Sequence, residues 1–81
     1  MEKTLNNAAE GERLLIKKIS CEKRLCARLA DLGLIEGTVL ECVGKAPMGD
    51  PAAFLIRGAV IALRRSDTEK ILAEEMDEWS E

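Results

Sequence analysis

Apolar residues recur along this chain with two periods, and the switches between them lay out its elements. Arg13-Leu14-Leu15-Ile16-Lys17-Lys18-Ile19 alternates imperfectly with a period near two, which predicts a first strand. From there the period lengthens. Cys21, Leu25, Leu29 and Leu32 fall at helical spacing, while Glu22, Lys23, Arg24, Ala27, Arg28 and Asp31 lie largely off that stripe. Ser20 stands at the N-cap and Gly33 just past the end, so a helix is predicted over residues 21–32, packed through its stripe onto a sheet. Leu34-Ile35-Glu36-Gly37 reads as a connector.

Short strands follow in quick succession. Residues 38–43, rich in β-branched side chains, predict a second strand. A loop containing Pro47, Gly49, Asp50 and Pro51 cannot continue a strand or a helix, and reads as a rigid, shaped turn. Residues 53–57 and 60–63 predict a third and a fourth strand around a Gly58-Ala59 turn. Ser66-Asp67-Thr68-Glu69 has the capping-box pattern and predicts one short helical turn before a fifth strand at 71–73. Residues 1–10 are polar and are expected to be a flexible N-terminus, with Leu5 tucked onto the core. Residues 11–75 form the domain, and residues 76–81 an acidic tail. Strand, helix, then several short strands with turn signals between them indicate a mainly β fold, a small barrel or sandwich.

Composition narrows this further. With 81 residues the chain is one domain with a small core, and because aromatics are only 2% (Phe54 and Trp79), that core is expected to be aliphatic. The same scarcity removes the stacking surface that single-stranded nucleic-acid binders use, and the aromatic groove of a polyproline reader. Charge is uneven. Residues 1–65 carry a net +3 and residues 66–81 a net −6. A mildly basic body with an acidic end is not the footprint of a nucleic-acid partner, and the run from Glu74 onward reads as a solvated tail, with a docking role for Trp79 as the alternative. No apolar run approaches a membrane span and no leader is visible, so the expectation is a cytoplasmic protein without membrane insertion; three cysteines do not suit a complete disulfide framework.

At this point the residues carry a resemblance. Leu29-x-x-Leu32-Gly33-Leu34-x-x-Gly37-Thr38, then Ala46-Pro47-Met48-Gly49-Asp50-Pro51, Arg57-Gly58, Ile61-Ala62-Leu63-Arg64 and Ile71 resemble the FeoA family, the ferrous iron transport protein A type. The resemblance runs from about Gly11 to Ala73. It implies an SH3-like β-barrel of about five strands with a helix inserted after the first strand. It also implies a cytosolic accessory protein of bacterial ferrous iron uptake, whose partner is the FeoB membrane iron transporter. Thr68 stands where relatives commonly have Ala, and Ala59 where an aromatic is common; both read as packing changes at the surface end of the barrel.

Candidate chemistry is sparse. The chain has no His, no nucleophile paired with a base and no phosphate-binding Gly-rich loop, so no enzymatic reading has residue support. Cys21 and Cys26, five apart on the predicted helix, point to different faces and do not grip one ion; the cysteines read as small buried apolar residues. Asp50 reads as organising its own turn. No dedicated metal site or cofactor is expected: Fe2+ is left to the associated transport system, with weak transition metal ion binding confined to the acidic tail. Two surfaces remain for partner binding. One is the rigid loop of Pro47, Met48, Gly49, Asp50 and Pro51; the other is the helix face with Lys23, Arg24 and Arg28, close in sequence to Lys17 and Lys18. Two other readings are weighed against this one. A metal-responsive regulatory domain, like the SH3-like domain of iron-dependent repressors, normally needs a DNA-binding unit and metal ligands. A small-barrel nucleic-acid module is opposed by the −6 end.

Overall fold

The computed structural model describes residues 2–76. The period-two stretch forms strand Arg13–Ile19, and the N-terminal stretch before it adds a strand of its own, so the sheet has six strands rather than five. In chain order these are β1 (Glu2–Thr4), β2 (Arg13–Ile19), β3 (Val39–Lys45), β4 (Ala52–Ile56), β5 (Ala59–Leu63) and β6 (Ile71–Glu75). They form one antiparallel sheet in the order β1-β6-β2-β3-β4-β5. β1 and β5 are therefore its two edges. The register shifts between Ile16 and Lys18 in β2 and between Cys42 and Gly44 in β3, where the extra residue bends the strand.

The N-terminal stretch is not a loose lead-in. Lys3 pairs in register with Ala73, and a 3-10 turn at Leu5–Asn7 buries Leu5. An ionic cluster fixes the strand further: Lys3 Nζ lies 2.9 Å from Glu12 Oε1 and 2.9 Å from Glu75 Oε2. Hydrogen bonds that the Lys3 ammonium donates to both carboxylates raise its pKa. Burial works against ionisation of Glu12, but the Ala9 amide, 2.9 Å away, and Lys3 outweigh it and hold the carboxyl below its ordinary range. Glu74 and Glu75, expected in a solvated tail, instead belong to β6, where Glu74 lies 3.6 Å from Lys17. Met76 still donates its amide to Arg13 O at 3.0 Å. The acidic run beyond it, with Trp79, lies outside the described residues.

The helix is shorter than its stripe predicts. α1 spans Lys23–Asp31, with Glu22 rather than Ser20 at the N-cap and no side-chain cap bond. Cys21 lies before the helix and Glu22 is extended, so the helical rotation between Cys21 and Cys26 does not apply, and the two form a disulfide instead of staying free thiols. Of the stripe, Leu29 is fully buried, Leu25 and Cys21 half-buried, and Leu32 exposed.

The end of α1 follows the sequence closely. Leu34 N–H donates to Leu29 O and Gly33 N–H to Ala30 O, both at 2.9 Å. This pair of bonds is a Schellman motif, with Gly33 in the left-handed region at φ 95° and the two flanking leucines, Leu29 and Leu34, meeting in the core. Leu34, expected in a connector, is thus a core residue. Between the faces lie Leu5, Leu14, Ile16, Leu29, Leu34, Leu40, Phe54, Ile56, Leu63 and Ile71, all at 4% exposure or less. One of the two aromatics, Phe54, sits in this otherwise aliphatic core.

β4 and β5 are joined by a two-residue turn at Arg57-Gly58, one residue earlier than predicted. Both residues have positive φ, 52° and 83°, the signature of the type I′ hairpin whose twist matches its strands. After β5, α2 (Arg65–Thr68) is one short turn starting a residue ahead of the predicted capping box. Its Thr68, expected to pack at the surface end of the barrel, is 2% exposed and lies in the core.

Candidate interaction surface

The loop between β3 and β4 is shaped by its own backbone. Ala46 N–H donates to Pro51 O at 3.0 Å and Gly49 N–H to Ala46 O at 2.7 Å, which ties the loop across its base and again at its tip. Gly49 has φ 85° and the Asp50–Pro51 peptide is cis. Pro47, Gly49, Asp50 and Pro51 are exposed, and Met48 stands out at 91%. Asp50 does not close its own turn. Its Oδ1 accepts the Arg65 backbone N–H at 2.9 Å, so the carboxylate satisfies an orphan donor at the start of α2 and anchors the loop to it. The Ser66 box is idle, because the cap is supplied from a distant part of the chain.

On α1, Lys23, Arg24 and Arg28 are all exposed. Arg24 and Arg28 are one turn apart and therefore neighbours, and they line a shallow cavity of 360 Å³ with Leu25 and Glu22. Lys17 faces Glu74 instead of joining this patch. The two predicted surfaces are not brought together by any bond. Gly33, past the end of α1, lies against Ile56 and Arg57 at the far end of β4, whereas the loop enters β4 at Ala52. Among the described residues, no hydrogen bond or ion pair joins α1 to the loop.

Reactive chemistry is held down where residues for it exist. Cys42 is fully buried in β3, and burial raises its pKa, so the thiol stays protonated. Among the described residues no three Cys, Asp or Glu side chains come together as metal ligands, and no helix is long and apolar enough to cross a membrane.

A third surface emerges that the strand predictions did not single out. In β4, Ala52, Phe54 and Ile56 point inward, so their neighbours Ala53 and Leu55 face out. The register places Leu55 beside Val60 and Ala53 beside Ala62, on the outer face of β4 and β5. Val60 is 65% exposed, and Val39 and Val43 on β3 are also exposed. This face is flanked by two shallow cavities, of 150 Å³ near Arg57 and 290 Å³ near Ala62. The signal was present in Ala59-Val60-Ile61-Ala62-Leu63, which is apolar on both alternating faces when only one can be buried.

Comparison with known proteins places this architecture. The FeoA domain model matches residues 3–75. The chain is similar to a FeoA-like protein from Clostridium acetobutylicum, at 32% identity and TM-score 0.85, covering 99% of this chain and 93% of that one. It shares its fold with FeoA from Stenotrophomonas maltophilia, described as a prokaryotic SH3 domain protein and crystallised with zinc (21% identity, TM-score 0.77, 89% of each chain). It shares it also with part of a manganese-dependent transcriptional repressor in complex with manganese (16% identity, TM-score 0.84, 93% of this chain and 37% of that one). No curated protein matches the chain. The SH3-like fold and a family match that runs from the first strand through the last lead to one conclusion: the chain belongs to the FeoA family, which is linked to ferrous iron transport.

Proposed function

We propose that this chain is a non-catalytic, cytosolic accessory protein of ferrous iron uptake, acting by binding the cytosolic part of the FeoB transporter. The observation that carries the reading is the FeoA match over residues 3–75. The surface chemistry supports it: the one free thiol is buried, and the exterior offers a shaped loop, a cationic helix face and an apolar sheet face. Lys23, Arg24 and Arg28 supply a cationic helix face that steers the domain toward an acidic partner surface. Pro47, Met48, Gly49, Asp50 and Pro51 supply a loop already held in one shape, which lowers the entropic cost of docking. Iron is the cargo of the transport system, not a resident group of this domain.

Calorimetric titration of the chain with the soluble cytosolic domain of FeoB from the same organism tests this. The Arg24→Glu, Arg28→Glu variant is expected to bind about tenfold or more weakly, with its circular dichroism and melting temperature unchanged. Equal affinity of variant and parent removes the helix face from the interface. Absence of binding by the parent removes the transporter as partner.

A further inference from the structure

β5 is an edge strand without the usual defences. Natural sheets blunt their edges with charges, prolines, bulges, very short strands or a covering element. β1, the opposite edge, has three residues and carries Glu2 and Lys3. β5 has five residues, Ala59-Val60-Ile61-Ala62-Leu63, with no charge, no proline and no register shift against β4. Among the described residues no other strand pairs with it. Its outer backbone groups have no strand partner among the described residues, and beside them lies the outer face with Leu55 and Val60.

We propose that β5 takes an extended segment of a partner protein as a seventh strand, a segment with an uncharged β-branched centre and acidic residues at both ends. Main-chain bonds to β5 supply affinity, and alternate side chains resting beside Val60 and Ala62 supply selectivity. The charges select the ends. Exposed Arg57 precedes the strand and exposed Arg64 and Arg65 follow it, so cations stand at both ends of a neutral run about 17 Å long. Asp50 binds the Arg65 backbone, and no ion pair to the Arg57, Arg64 or Arg65 guanidinium is present among the described residues. The same cations disfavour a second copy. Antiparallel self-pairing centred on Ile61, the register that overlaps the whole strand, brings the Arg57 end of one copy beside the Arg64-Arg65 end of the other, so cations meet cations at both ends. The inference rests on the chain being a binding module, not on the transporter being what it binds.

The test is titration of the 15N-labelled full chain with the peptide acetyl-Glu-Glu-Val-Thr-Val-Thr-Val-Glu-Glu-amide, and with the same peptide carrying Lys for every Glu. Amide shifts and slowed hydrogen exchange centred on residues 59–63 are expected with the acidic peptide. The Lys version is expected to bind at least about tenfold more weakly. Val60→Lys, or Ala62→Lys if the first variant does not fold, is expected to abolish the response, because a charge on the outer face of an edge strand blocks pairing. Shifts elsewhere, equal binding of both peptides, or no response in β5 overturns the proposal. So does a dimer formed through β5, which assigns the edge to a second copy. Failure to bind the FeoB domain with the peptide response intact sinks only the transporter reading; the reverse sinks only the edge.

Discussion

Gly33 joins three parts of this molecule at one backbone position. It ends α1 in a left-handed conformation, turns Leu34 into the core, and leaves room where a Cβ would come within 3.3 Å of Ile56 Cγ2. Gly33→Ala meets both the positive-φ penalty and that contact, so a loss of about 1–2 kcal/mol is expected in urea unfolding. Lys3 and Glu12 make a second residue-scale prediction, with a definite sign. The Glu12 carboxyl is held below its ordinary range, so its contribution to stability is present above about pH 4.5 and is lost as pH falls through the lower folded value. Lys3 is shifted upward, so its contribution is complete below about pH 10.5 and is lost only as pH rises through the higher folded value. The urea midpoint of the parent is expected to fall on acidification, and that of Glu12→Gln to fall less. Parallel curves would show that the cluster carries no stability.

At the scale of elements, sequence reasoning succeeded where the information was local. The end of α1 is marked by Gly33, and the alternation of β2 by seven successive residues, although Leu34, which completes the Schellman motif in the core, reads as a connector. It failed where the partner lies far along the chain. β1 is three residues with no pattern of its own; it exists because β6 offers an edge and because Leu5 finds space in the core. Leu5→Ala is therefore expected to cost about 2–5 kcal/mol, as a core truncation does, and an unchanged melting temperature would return the segment to the status of a loose tail. The start of α2 was misread for the same reason, since the local Ser66 box looked sufficient and the acceptor came from Asp50, fifteen residues earlier. Cys21 and Cys26 repeat the lesson in miniature: once the helix begins at Lys23, the angle between them is no longer helical.

On the whole molecule, the fold and the family were both legible because turn glycines, loop prolines and core leucines sit at positions the architecture dictates. The interaction surface was less so. Which charges share a face depends on how α1 lies on the sheet, and which strand is an edge depends on the order of all six. The six-stranded sheet presents three candidate surfaces: the α1 cations, the Pro47–Pro51 loop, and the β5 edge with its outer face, the last two meeting where Pro51 and Ala62 line one cavity. On the proposed reading, one of these surfaces binds the transporter and the domain has no dedicated iron site. Amide chemical-shift titration of the labelled chain, with the FeoB cytosolic domain and separately with Fe(II) under anaerobic conditions, tests it most directly. Saturable shifts confined to one or more of these surfaces are expected with the protein, and none with the ion. No response to the FeoB domain, together with saturable broadening around Asp50 or a cysteine on adding Fe(II), would contradict this reading and make the domain a metal sensor.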